Sequence, residues 1–275
     1  MEFYWFNLKL GLGTDYTRYL EYPKVLEFLE IPSQTSQTLL DVGSGRRGQF
    51  PLFLAHKFRQ LTVYSTDPRE DFMEQMRLVK KLGLEEDVQS KRLRLQQVDV
   101  LAPAFDGERF DRISCISTIE HIPGNQDTKA IQNMAKLLKP NGLLVLSIPF
   151  NTYRYADVYQ RSRAYAVPGK AENGNRHFFE RIYDPQTLQE RLISPSGLTL
   201  EKQYYFGEPG FSLGRWMHRG AKGKDLVARI VFKSYLLHLL IPFLSPLFLK
   251  EIAPDSYDTE DWSGVGTILR LRKSN

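Results

Sequence analysis

A single cysteine, Cys115, stands in 275 residues. One thiol can build neither an internal disulfide framework nor a cysteine-based metal site. The start of the chain, "MEFYWFNLKLGLG", lacks a basic stretch running into a long apolar core. That argues against a secretory leader and for a cytoplasmic protein. No internal repeat or low-complexity tract is found. Broad charge excess is missing too: 37 basic against 32 acidic residues give a net charge of +5. Six basic residues (Arg215, Arg219, Lys222, Lys224, Arg229, Lys233) stand against Asp225 alone and carry the whole surplus. This argues against a nucleic-acid-binding surface and for one local basic patch.

What is present is an apolar content of 42%, enough for a substantial core, and a regular alternation of elements. Residues 16–31 have helical spacing, with Pro23 at an entry or kink. "QTLLDVG" reads as a buried strand, "QFPLFLAHKF" as a helix, "LTVYSTDP" as a strand and "REDFMEQMRLVKKLGL" as an amphipathic helix. "LRLQQVDV" and "FDRISCIST" are two further strands. "TKAIQNMAKLLKPNG" is a helix stopped by Pro140 and Gly142, and "LLVLSIP" is a fifth strand. This order predicts an α/β fold with a parallel sheet covered on both faces. After residue 150 come one helix, a strand "LTLEKQYYF" and, about sixty residues later, "VGTILRLRK". Two late strands without a regular crossover predict an antiparallel edge on the parallel sheet.

The stretch "LLDVGSGRRGQF" (39–50) contains G-x-G-x-x-G, a spacing that cradles phosphates in dinucleotide enzymes. Asp41, two residues before the first glycine, would repel a pyrophosphate and tolerate a ligand carrying an ammonium and a sulfonium. Asp67, 22 residues beyond Gly45, stands where an acid meets a ribose diol. Asp99 can accept from an adenine amino group, with Val100 against the ring. Asp41, Asp67, Asp99 and Ser117 all lie at strand ends, where ligands collect in open parallel sheets.

In these segments the sequence resembles the class I S-adenosylmethionine-dependent methyltransferases, over roughly residues 38–206. "LLDVGSG" looks like their first motif, "VYSTDP" their ribose motif and "LQQVDV" their adenine motif. "FDRISCISTIEHIP", "LLKPNGLLVLSIP" and "NRHFFERIYDPQTLQERLISPSGLTLEKQYY" are similar to the small-molecule branch, the type 11 or ubiquinone-pathway-like group. The resemblance implies a Rossmann-like sheet of seven mostly parallel strands with an antiparallel last strand, helices on both faces and a helical insertion before the last strand. One domain is expected, 1–275. Within it, 1–37 is an N-terminal helical cap, 38–150 the cofactor-binding core, 151–206 the acceptor-side segment and sixth strand, 207–262 the insertion and 263–275 the last strand. It assigns Asp41, Gly43, Ser44 and Gly45 to the methionine part of S-adenosylmethionine, Asp67 and Pro68 to the ribose, and Asp99 and Val100 to the adenine, with Ser117 beside the cofactor. Arg46 and Arg47 delay the third glycine relative to the family's G-x-G-x-G, so Gly48 is not assigned to the cofactor.

A hydroxyl or amine acceptor must lose a proton, and histidine suits that near neutral pH. His121 in "TIEHIP" lies just past the fourth strand, and His177 in "NRHFFERIY" lies where this branch builds its acceptor pocket. Glu120–His121 resembles the ubiquinone-type O-methyltransferases, in which a further upstream acid helps hold a metal. Ser117 stands in that place, and no metal is expected. Arg18, Tyr16 and Tyr19 are candidates to cap the cofactor carboxylate, and Tyr153, Arg154 and Tyr155 to contact the acceptor. "STIEH" replaces the tetrapeptide used in base methylation, which disfavours a nucleobase acceptor.

Residues 226–241 are apolar nearly all round a helical wheel, apart from a stripe of Arg229 and Lys233, and Pro242 and Pro246 end the run. The uninterrupted part is shorter than the roughly 20 residues of a membrane span. A lid over the acceptor pocket, a homodimer contact and peripheral membrane docking through 215–249 stay open. The reading is methyl transfer to an oxygen or nitrogen of a small-molecule, lipid-linked or glycan acceptor, yielding S-adenosylhomocysteine. A non-catalytic S-adenosylmethionine-binding protein and an NAD-dependent oxidoreductase are the alternatives.

Overall fold

The computed structural model describes residues 2–12, 17–69, 71–105, 107–160, 176–209, 247–253 and 264–275. Tyr16, the basic run 215–233, the 226–241 segment, Pro242 and Pro246 lie outside the described residues. In chain order the elements begin with helices α1 (Glu2–Leu10) and α2 (Arg18–Leu29). Pro23 lies inside α2, which continues through it. Then follow β1 (Gln37–Val42), α3 (Gln49–Lys57), β2 (Leu61–Asp67), α4 (Met73–Leu82), α5 (Glu85–Gln89), β3 (Leu93–Gln97) and β4 (Phe110–Ile116). A 3-10 turn (Ile119–His121) leads to α6 (Gln126–Leu137) and β5 (Leu138–Ile148). α6 stops before Pro140 because Leu138 is already extended and pairs with Phe110.

Beyond β5 come β6 (Ala156–Gln160) and β7 (His177–Ile182), then a helical segment α7 over 185–196 whose middle turn, Gln189–Ile193, is π-helical. Asp184 caps it with a reciprocal capping box to Thr187. Three strands complete the order: β8 (Thr199–Gly207), β9 (Lys250–Glu251) and β10 (Gly264–Arg272).

The main sheet runs β3-β2-β1-β4-β5-β10-β8-β9. β1 to β5 pair in parallel, whereas β10 is antiparallel to both β5 and β8. The antiparallel end is thus built as expected, with β10 inserted between β5 and β8. Among the described residues the sheet has eight strands rather than seven, the addition being the two-residue β9 on the rim. A separate antiparallel pair, β6–β7, was not anticipated.

The strands read as continuous apolar runs because both faces are covered. Leu39, Val63, Ile116, Val145 and Ile268 pack beneath α1 to α4. Their neighbours Leu40, Cys115, Leu144, Leu146 and Leu269 pack on the other face with α6 and α7. Among the described residues no helix is long and apolar enough to cross a membrane.

Candidate active site

The carboxyl ends of β1, β2 and β4 converge on the glycine loop. The amides of Gly43 and Ser44 both donate to the carbonyl of Thr66 at 2.9 Å, so the loop turns sharply against the end of β2. Each glycine has its own reason. Gly43 (φ +74°) passes so close to β4 that a Cβ would lie 2.2 Å from the Thr118 side chain. Gly45 (φ +70°) has an open flank, where a Cβ would meet only the Arg69 guanidinium, at 3.9 Å. Gly48 opens α3 against the side chain of Gln75, 2.6 Å from where its Cβ would be.

Gln75, invisible to the sequence reading, is fully buried and locks this arrangement. Its amide nitrogen donates to Ser44 Oγ (3.0 Å) and to the Gly45 carbonyl (2.7 Å), and its oxygen accepts from Ser65 Oγ (2.9 Å). Arg46 and Arg47 are exposed and pair with Glu74 on the first turn of α4, at 3.3 and 3.8 Å.

Asp67 ends β2 with its carboxylate buried and aimed at the loop. Oδ2 accepts from the Gly45 amide at 3.0 Å, and the Arg69 side chain donates to both oxygens, at 2.7 and 3.0 Å. Asp41 is buried in the sheet and accepts from Ser114 Oγ at 2.6 Å across the β1–β4 register. Burial pushes its carboxyl up to about 7 against the pull of Ser114, with Asp67 adding to the rise and Arg18 opposing it. Asp99 is exposed and takes the amide of Leu101 in a tight turn, while Val100 is half-buried against the second core. The carbonyl of Pro68 is held by Gln97.

Ser117, just past β4, has φ +45°, a left-handed conformation that costs a non-glycine residue about 1–2 kcal/mol. Its hydroxyl accepts from Arg18 (2.7 Å) and donates to Glu21 (3.2 Å). Glu21 is buried, pairs with Arg18 at 2.5 Å and also accepts from Ser147 Oγ. Arg18 is thus joined to the end of β4 through Ser117, beside Glu21, an acid that the sequence did not single out. Tyr19 packs its ring against Tyr4, and burial pushes its hydroxyl up to about 12.

Beside this cluster, His121 Nδ1 lies 2.5 Å from the carbonyl of Phe179 on β7. A carbonyl only accepts, so Nδ1 carries the proton and the lone pair sits on Nε2. Burial lowers the histidine below its ordinary range; the Phe179 bond opposes this and Arg18 assists it. Glu120 is buried, with Oε1 3.9 Å from Nε2 and Oε2 lacking any partner among the described residues. Burial raises it far above the usual carboxylate range, and raises Glu180 of β7 to about 7. His177 opens β7 opposite Gln160. Tyr153 and Arg154 are exposed, whereas Tyr155 bonds Asp157 and receives Arg181. Among the described residues no group of three or more His, Cys, Asp or Glu is arranged to hold a metal ion.

A family model described as a methyltransferase domain matches residues 15–203. No curated protein sequence matches the chain significantly. Among solved structures, coclaurine N-methyltransferase bound to N-methylheliamine and SAH is 14% identical, covering 92% of this chain and 72% of its own, with a TM-score of 0.56. The Burkholderia thailandensis 1,6-didemethyltoxoflavin-N1-methyltransferase is 16% identical over 94% of this chain and 80% of its own, with a TM-score of 0.53. The [4+2]-cyclase SpnF is equally similar in fold: 16% identity, 93% and 81% coverage, TM-score 0.56. At these identities the likeness is one of fold.

Proposed function

Because the chain belongs to the methyltransferase-domain family and uses S-adenosylmethionine, we propose that it methylates an oxygen or nitrogen of a small-molecule acceptor, with His121 as general base. The observation that carries the reading is the Phe179 carbonyl on Nδ1, which leaves the lone pair of a neutral imidazole on Nε2.

The donor set fits the cofactor. Asp67 is an acceptor-only carboxylate, the complement of two ribose hydroxyls once the exposed Arg69 side chain turns aside from it, and Gly45 leaves open the flank that a Cβ would fill. Asp67 and Pro68 would hold the ribose, Asp99 and Val100 the adenine, and Gly43, Ser44, Gly45 and Asp41 the methionine part. Arg18 and Ser117 would border its carboxylate. When bound, the cofactor supplies a methyl group already activated on a sulfonium. The chain's own work is alignment, exclusion of water and removal of one proton. His121 Nε2 takes that proton from an acceptor hydroxyl or ammonium, while the Phe179 carbonyl stabilises the imidazolium that forms. Tyr153, Arg154 and His177 are acceptor-side contacts in this reading. Lipid-linked and glycan acceptors belong to the same reading, with peripheral membrane contact through 215–249 for the former.

Calorimetric titration with S-adenosylhomocysteine tests the cofactor half. Asp67→Ala is expected to weaken binding at least tenfold, about 1.4 kcal/mol; unchanged binding would remove Asp67 from the ribose site. A methyl-labelled donor offered with a panel of amines and hydroxyl compounds tests the other half. His121→Gln should keep cofactor affinity and lose about 10²–10⁴-fold in turnover. The wild-type acid limb should fall below the ordinary histidine value near 6.5, because the native pKa is lowered and the base stays unprotonated to lower pH.

A further inference from the structure

Arg181 is the largest fully buried side chain among the described residues. It sits two residues along β7 from Phe179, whose carbonyl holds the His121 ring. Its guanidinium reaches the segment that directly follows His121. Nη2 donates to the Gly124 carbonyl at 2.9 Å, and Nη1 donates to Asp127 Oδ2 at 2.6 Å and, more weakly, to the Ile122 carbonyl at 3.5 Å. On its other edge Nε donates to Asp157 Oδ1 (3.0 Å) and to the Tyr155 hydroxyl (3.2 Å) from the neighbouring strand and its approach. One planar group thus clamps both strands of the β6–β7 pair onto residues 122–127.

Stability alone does not account for an arginine here. Replacing a buried ion pair by apolar groups of similar volume is often neutral or favourable. Asp127 is already satisfied without it: Arg191 donates to both carboxylate oxygens at 2.6 and 2.9 Å, and the Tyr183 hydroxyl donates at 2.9 Å. Arg191 also bonds the Gly124 carbonyl. What Arg181 adds is a fixed distance between β7 and the turn bearing His121. The Nδ1 hydrogen bond requires that distance, since a displacement of about 1 Å would carry a 2.5 Å contact out of hydrogen-bond range.

We infer that Arg181 is the positioning residue of His121, holding the Phe179 carbonyl against Nδ1 and so keeping the lone pair on Nε2. The inference rests on His121 being the base only for its catalytic meaning; the tautomer it fixes is measured separately.

The test is long-range ¹H–¹⁵N correlation of the histidine rings in the full chain, with the His121 signals assigned from His121→Gln. Wild type should show one tautomer, protonated at Nδ1. Arg181→Met, with cooperative melting and S-adenosylhomocysteine affinity retained, should show comparable populations of both tautomers. Arg191→Met, which removes a partner of Asp127 without touching β7, should keep the wild-type spectrum. A pure Nδ1–H tautomer in Arg181→Met would overturn the inference. If that variant does not fold, Arg181→Lys, which keeps the Asp127 pair but cannot also span Gly124 and Asp157, meets the same two alternatives. Should His121→Gln retain turnover, the base assignment falls while the tautomer result still judges Arg181.

Discussion

Asp41 shows how one buried carboxyl can set the pH dependence of stability. Its native pKa of about 7 stands above the ordinary 3.8, chiefly because the charge has no water around it. Between those values the native state keeps a proton that the unfolded chain releases. Stability therefore falls as pH rises from about 4 to about 7, and levels off beyond. Glu180, also near 7, acts in the same direction. Asp41→Asn keeps an oxygen for the Ser114 hydroxyl and removes the titration. Calorimetric melting at pH 5 and pH 8 should show a smaller difference for this variant than for wild type. Equal differences would mean that Asp41 is hydrated in the folded protein.

Among the elements, α2 is fastened to the sheet by a charged hook rather than by its apolar face alone. Glu21 joins Arg18, Ser117 and Ser147, so one helix residue ties together the ends of β4 and β5. Hydrogen bonds to a charged group contribute about 1.5–3 kcal/mol each. Glu21→Ala should then lower unfolding stability by about 3 kcal/mol in urea titration, and weaken S-adenosylhomocysteine binding through the loss of Arg18's orientation. A loss below about 1 kcal/mol would show that α2 is held by Val25, Phe28 and Leu29 alone.

The same scale shows what the sequence could disclose. Strands buried on two faces announce themselves as apolar runs, and Asp41, Asp67 and Ser117 are conspicuous as candidates because they stand at the ends of such runs. Gln75 lay hidden because a polar residue between Glu74 and Met76 reads as the solvent side of an amphipathic helix, and nothing local says that a loop will press on it. Arg181 in "HFFERIY" likewise reads as a surface charge until Asp127, 54 residues earlier, is brought beneath it. The β6–β7 pair escaped because its strands are short and sixteen residues separate Gln160 from His177, too many for a turn signature. The π-helical turn of α7 has no sequence mark at all.

At the scale of the whole molecule, β10 decides whether the sheet closes. It pairs with β5 through Thr267–Arg272 and with β8 along its length, and buries Ile268, Leu269 and Leu271 between the two helical layers. Without it β8 has no neighbour on that side, and β5 becomes an exposed apolar edge, a template for aggregation. A chain ending at residue 263 should lose cooperative melting and S-adenosylhomocysteine binding together, although every residue assigned to the cofactor is retained. Binding by that truncated chain would show that the first five strands fold as an independent unit.

The place of β10 also orders the protein's birth on the ribosome. Residues 37–148 can pair strand by strand as they emerge, each parallel strand meeting one already made. β8, which emerges after the separate β6–β7 pair, must wait, because the strand that joins it to β5 is not synthesised until residues 264–272. For the time taken to translate the roughly 115 residues between Ile148 and Gly264, at roughly 5–20 per second, the nascent chain carries an open apolar edge on β5. A chaperone that binds extended apolar segments would find its target in β5 during that interval and lose it once Arg272 has left the tunnel.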